Sequence, residues 1–235
     1  MIFDPLYLLV IGIGFGLSLY ASTITKGRFR KYSQYTTRSR MTGADIARSI
    51  LEDNNIRDVK VERIPGELSD HYDPRTKILR LSEPVYDSNS MAAFGVAAHE
   101  VGHAIQHAKS YSMLQFRSAW VPVANYGGGI STFVIILAFV MGGAASATGS
   151  TLSWLGVLLF GCTTVFTLVT LPVEFDASKR ALVSLKQGNY VTEKELDGAR
   201  KVLNAAAMTY VAAFITSLLT LLYWAHKLGL LGGRR

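Results

Sequence analysis

The 235-residue sequence is 49% hydrophobic, carries 24 Lys and Arg against 17 Asp and Glu for a formal charge of +7, and contains one cysteine, Cys162. A single cysteine excludes a disulfide framework and a cysteine-based metal site. The basic excess lacks the interleaved aromatics or surrounding fold of a nucleic-acid binder, so it reads as a membrane-surface signal.

Apolar residues fall in blocks. Leu6 to Ala21 carries no charge, and three later runs, about Val121 to Thr151, Leu152 to Val173 and Met208 to Ala225, are equally free of Asp, Glu, Lys and Arg. Each is long enough, or nearly so with its flanks, to cross a hydrocarbon layer of about 30 Å, so four transmembrane helices are expected. The first run has no basic residue before it and no small-x-small cleavage site after it, which favours a retained anchor over a secretory signal. Its Gly12 and Gly16 have the G-x-x-x-G spacing that lets a second helix approach, within the chain or between copies.

Lys26, Arg28, Arg30, Lys31, Arg38 and Arg40 follow the first run with no intervening acid, which by the positive-inside rule places that side in the cytoplasm. Both termini are then outside, and Ala145 to Ser153 forms a short external hairpin. Residues 174–207 return to the cytoplasm, consistent with Lys179, Arg180, Lys186, Lys194, Arg200 and Lys201, whereas Arg234 and Arg235 run against the assignment.

Between the first two runs, Ala44, Ile46, Ala47, Ile50 and Leu51 recur at helical spacing until Asn54 and Asn55. Asp58 to Ile64 and Thr76 to Ser82 read as short strands separated by a turn containing Pro65, Gly66, Asp70, Asp73 and Pro74. Lys77 to Leu81 is the candidate sheet edge for holding an extended peptide. His71 and Tyr72, placed in the turn, are candidate donors to an oxyanion.

The next segment, SMAAFGVAAHEVGHAIQHAK, contains His99, Glu100 and His103 as H-E-x-x-H. Residues four apart lie one helical turn above each other, so both imidazoles can address one ion, while Glu100 flanks it and can take a proton from water. Ser88 and Ser90 are candidate N-caps. His107 lies eight residues beyond His99, roughly 12 Å along the axis, too far to share the ion with it on an unbroken helix. The three-histidine variant of the motif is excluded because Gln106 and Lys109 stand where it needs Gly and His. His107 is therefore a lining residue or a group behind the ligands, with a plain core or surface role as the favoured alternative.

A catalytic zinc of this type needs a third protein ligand. His226 belongs to the outer end of the last span, and Thr192 with Glu195 has the pattern of a capping box, with Glu193 and Asp197 complementing the same helix start. Glu174 and Asp176 remain. Glu174 closes an uncharged run, where an ionisable group is a functional candidate by default, and topology places it on the side of the H-E-x-x-H helix. The plain alternative is an interfacial carboxylate paired with Lys179 or Arg180.

AAHEVGHAIQH, followed about seventy residues later by PVEFDAS-x-R-A, resembles the YugP-like family of membrane zinc metallopeptidases, and the likeness extends through DHYDP, the spans and NAAAMTYVAA. More distantly the chain is similar to membrane peptidases of the heat-shock and prenyl-protein processing type. The resemblance implies a gluzincin-like site, with His99, His103 and Glu174 on zinc and Glu100 as catalytic base. In the broader group an Asp four residues after the Glu orients a zinc-bound His; here that position is Ser178, and Asp176 is about 200° away around a helix.

These readings predict a mainly α integral membrane protein, four transmembrane helices with a small α+β zincin-like domain between spans 1 and 2. Residues 1–24 form the anchor, 25–120 the cytoplasmic domain, 121–175 spans 2 and 3, 176–207 a cytoplasmic helical segment and 208–235 span 4 and the tail. The expected function is zinc-dependent hydrolysis of peptide bonds in flexible or membrane-associated polypeptides, with one zinc per chain. The expected location is the cell membrane, with the site on the cytoplasmic side. Expected partners are a polypeptide substrate and the bilayer, with a homo-oligomer or membrane partner left open and no nucleic acid. The alternative is a non-catalytic membrane scaffold whose structural metal takes a fourth ligand such as Asp176 or His107.

Overall fold

Thr42 begins the first water-facing helix by local chemistry. Its hydroxyl accepts from the Asp45 backbone N–H at 3.1 Å while Asp45 accepts from the Thr42 N–H at 3.0 Å, a reciprocal cap. In the computed structural model, which describes residues 4–231, the elements run α1 (Pro5–Ser33), α2 (Gly43–Asp53), β1 (Lys60–Ile64), β2 (His71–Asp73), β3 (Ile78–Ser82), α3 (Glu83–Tyr86), α4 (Met91–Ala108), α5 (Ser112–Val140), α6 (Ala147–Gln187) and α7 (Glu193–Lys227). A single 3-10 turn occupies Gly143–Ala145. The chain divides into two units. One comprises residues 4–20, Phe116–Leu171 and 210–231, the other Ala21–Gln115 and 172–209; α1, α5, α6 and α7 supply residues to both.

In the second unit, Ile46, Ala47, Ile50 and Leu51 of α2 bury the face that their spacing predicts, against Leu79 and Leu81 of β3 and Phe94, Ala97 and Val101 of α4. The sheet corrects two expectations. The segment read as a turn contains a strand, β2, which includes His71 and Tyr72. The strand order is β1-β3-β2, with β3 parallel to β1 and antiparallel to β2. Lys77 to Leu81 is therefore no edge: β3 is central, and β2 is one of the two edges.

Strand β2 is only three residues long, but both its ends are pinned. Asp70 accepts from the Ser82 backbone N–H at 2.7 Å and from its hydroxyl, and Asp73 accepts from the Arg75 N–H and the Thr76 hydroxyl. Asp and Asn favour such local bonds, which is why this stretch mimics a turn in composition.

Among the described residues three helices, α1, α6 and α7, are long and apolar enough to cross a membrane, and α5 adds a fourth only if its two segments, bent by 42°, are taken as one span. All three helices outrun their uncharged runs, so the segment expected at 176–207 is the end of α6 and the start of α7. The hairpin falls earlier than Ala145 to Ser153: Gly142 and Gly143 take φ of 93° and 55°, and α6 has begun by Ala147. Within the first unit Gly14, not the G-x-x-x-G pair, makes the close approach. A Cβ on Gly14 would lie 2.6 Å from Thr216, whereas Gly12 and Gly16 have nothing within 4 Å. Arg234 and Arg235 lie outside the described residues.

Candidate metal centre

Ser90 starts α4 by accepting from the Ala93 backbone N–H, a cap of about 1 kcal/mol, and the helix then runs unbroken through both histidines. Two glycines and a run of alanines let it pack tightly. A Cβ on Gly102 would sit 2.4 Å from the Ala177 carbonyl oxygen of α6, and one on Gly95 would sit 3.3 Å from Ala199 of α7. Gly102, between the two histidines in H-E-V-G-H, thus sets how near α6 comes to them.

That approach brings Glu174 to the histidines. Its Oε2 lies 3.2 Å from His99 Nε2 and 3.6 Å from His103 Nε2, and the three ligand atoms all fall within 4.8 Å of one another. Ligands about 2.0–2.1 Å from a tetrahedral zinc stand roughly 3.3–3.4 Å apart, so the spacing and the donor set, two imidazoles and one carboxylate, fit that ion. Glu174 is 2% exposed and is turned to the histidines; Arg180 pairs with Asp176 instead.

The other ring nitrogens point away from this cluster. His99 Nδ1 meets Ser178 Oγ at 3.1 Å and His103 Nδ1 meets Gln106 Oε1 at 3.0 Å. Ser178 therefore stands behind His99. Asp176, set aside on helical phase, accepts from Gln106 Nε2 at 2.8 Å, a link that its phase on α6 alone does not suggest. In the sequence, Gln106 stands out only as a departure from glycine. Its spacing three residues after His103, on the same helical face, was the available signal.

Glu100 is buried beside this group. Burial pushes its carboxyl up to about 7, with the charges of Glu174 and Asp70 acting in the same direction and His99 and the Tyr72 backbone amide opposing. Burial also raises Asp70, against the hydrogen bonds from Ser82. Tyr72 shares a 2.8 Å hydrogen bond with His107 Nδ1, and burial, reinforced by Asp58 and Asp73, pushes its phenol up to about 12. His71 is exposed, with Nδ1 on the Ser69 carbonyl and Nε2 facing Arg80, and is not gathered into the cluster. His226 is likewise exposed, in the last turn of α7. Thr192 and Glu195 form the capping box that their spacing predicts, and Glu195 also accepts from the Arg38 N–H.

The sequence matches, over residues 7–228, the family described as "Putative neutral zinc metallopeptidase". The chain belongs to that family. It is similar to the Bacillus subtilis (strain 168) protein named "Putative membrane protease YugP", 44% identical over 207 residues that cover 88% of this chain and 89% of that one. No solved structure gives a significant match. Zinc is the ion the family description names, and His99, His103 and Glu174 form a group that could hold a metal ion.

Proposed function

We propose that this chain is a membrane-anchored zinc endopeptidase, with one zinc per chain on His99, His103 and Glu174 and with Glu100 as general base. The observation that carries the reading is the convergence of two imidazole Nε2 atoms and one carboxylate oxygen around a common point, beside a buried carboxyl that is not part of the trio. When bound, zinc supplies a Lewis acid that polarises the scissile carbonyl and makes water nucleophilic near neutral pH.

The chain's own residues supply the rest. Glu100 takes a proton from the attacking water and delivers it to the amide nitrogen, which leaves as the amine when the C–N bond breaks. A carboxyl near 7 is matched to both transfers. Ser178 holds His99 from behind. The outer edge of β2 holds the substrate as an added strand, since β3 pairs only one of its sides and Asp70 and Asp73 keep it rigid. Tyr72 stays protonated, and its hydroxyl, shared with His107, is the candidate donor to the oxyanion.

In this reading the bent α5 is the fourth span, and the basic residues after Ala21 put the site on the cytoplasmic side. Substrates are flexible or membrane-associated polypeptides, because the sequence holds no nucleotide-binding glycine loop to drive unfolding. A structural metal would require a fourth protein ligand. Asp176 is engaged by Gln106 and Arg180 and His107 by Tyr72, which favours the catalytic reading over the scaffold.

The test is Glu100→Gln on an unstructured reporter polypeptide. Cleavage should fall by at least about 10²–10⁴-fold while one zinc per chain is retained. Cleavage at the wild-type rate would overturn the assignment.

A further inference from the structure

Gln106 is fully buried one turn below His103 and makes three side-chain contacts. Its Nε2 lies 2.8 Å from the Val173 carbonyl oxygen and 2.8 Å from Asp176 Oδ2, and its Oε1 lies 3.0 Å from His103 Nδ1. A primary amide nitrogen offers two hydrogens and cannot accept; carbonyl and carboxylate oxygens only accept. Both hydrogens are therefore spent on Val173 and Asp176. The opposite amide orientation would set its oxygen against two acceptors, which the same rule excludes.

The remaining atom, Oε1, can only accept. His103 Nδ1 must then carry a proton, so in the neutral ring that binds a metal the lone pair is on Nε2, the nitrogen that lies 3.6 Å from Glu174. Asp176 is itself held from two sides. Arg180 donates to it through Nε and Nη2 and lies over the Tyr111 ring, and the Tyr111 backbone N–H returns to the Gln106 carbonyl at 2.9 Å.

We propose that Gln106 is a positioning residue that locks His103 in its metal-binding tautomer and orientation, with Asp176 and Arg180 fixing the amide. The assignment rests on the reading of His103 as a zinc ligand. It distinguishes the two histidines. Ser178 behind His99 can donate or accept, so a hydroxyl there sets ring direction but not tautomer, whereas the amide behind His103 sets both. It also explains why a glutamine serves: it presents a pure acceptor to the imidazole without adding a second negative charge beside Asp176.

The experiment compares wild type, Gln106→Met and Asp176→Ala in the full-length, detergent-purified chain. Zinc affinity is read by chelator competition, the visible spectrum with Co2+ in place of zinc, and the melting temperature without metal. Gln106→Met keeps length and volume but removes the acceptor. It should weaken zinc about 10–100-fold and alter the Co2+ spectrum, with Asp176→Ala weakening zinc several-fold. A zinc affinity within about twofold of wild type in Gln106→Met, whatever its melting temperature, would make the residue a mere packing element and overturn the proposal. If Gln106→Met does not fold, an unchanged affinity in Asp176→Ala overturns it equally. Wild type that binds no zinc, or that keeps full affinity in His103→Ala, would instead sink the underlying reading of the site.

Discussion

In the unit formed by residues 4–20, Phe116–Leu171 and 210–231, large apolar side chains point outward: Phe15 is 69% exposed, Phe133 67%, Val140 75% and Leu158 64%. The buried positions there include the small polar Ser131, Ser153 and Thr164, whose hydroxyls bond carbonyls of their own helices. In the other unit the order is reversed. Phe94, Ile46, Leu79 and Leu81 are wholly buried, and charged residues such as Arg63, Lys77 and Asp58 take the surface. The difference identifies two solvents, since apolar residues face water in patches this large only when a lipid or a partner covers them. It also places the chemistry: the cluster of potential ligands found among the described residues lies in the water-type unit, where a core of alanines and glycines lets helices approach closely enough to join side chains seventy-five residues apart.

The strongest challenge to this contrast removes the ligand carboxylate. Glu174→Gln should abolish zinc binding at one equivalent and lower proteolysis at least about 10³-fold, while the helical content by circular dichroism stays at the wild-type level. Full zinc content in that variant would show the metal to be held elsewhere. Next in size is a polar side chain placed on each outer surface. Leu158→Arg in the first unit should cost about 2.5–3.5 kcal/mol in membrane insertion, measured by a glycosylation or protease-protection assay. Leu68→Asn in the second unit, 40% exposed and already at φ of 54°, should change stability by less than about 0.5 kcal/mol.

Glycine pairs sharpen the same comparison. Gly102→Ala places a methyl 2.4 Å from the Ala177 carbonyl, so α4 or α6 must shift. A loss of about 1–3 kcal/mol in melting experiments and of about 10²-fold in cleavage is expected. Gly12→Ala, with open space around it, should leave both quantities unchanged.

A last effect depends on pH. The Glu100 carboxyl titrates at about 7 in the fold against 4.5 in an unfolded chain, so its neutral form is favoured on folding. Its contribution to stability is complete below 4.5 and is lost as pH rises through about 7. Metal-free Glu100→Gln should therefore gain on wild type by up to about 3 kcal/mol between pH 4.5 and 8, read by urea unfolding at a series of pH values.

Several features followed from local sequence because their physics is local. The four-residue spacing of His99 and His103, the Ser90 cap, the reciprocal cap at Thr192 and the apolar runs each involve residues near one another in sequence. Glu174 was also legible, because a carboxylate at the end of an uncharged run stands out against its neighbours. Strand order was not. Whether β3 lies at an edge or in the centre depends on β1 and β2 pairing across intervening chain, and the aspartates that pin β2 look like turn formers when read along the sequence.

Nor could the chain's order of residues reveal what anchors the amide behind His103. Gln106 bonds Val173 and Asp176, sixty-seven and seventy residues away, only because Gly102 lets α4 and α6 touch. Sequence alone thus determined which residues were available for a metal and which segments lipid would accept, since periodicity and charge act over short separations. The tertiary packing decided how those residues are oriented, because a hydrogen bond between distant elements exists only once their backbones have been brought within a side chain's reach.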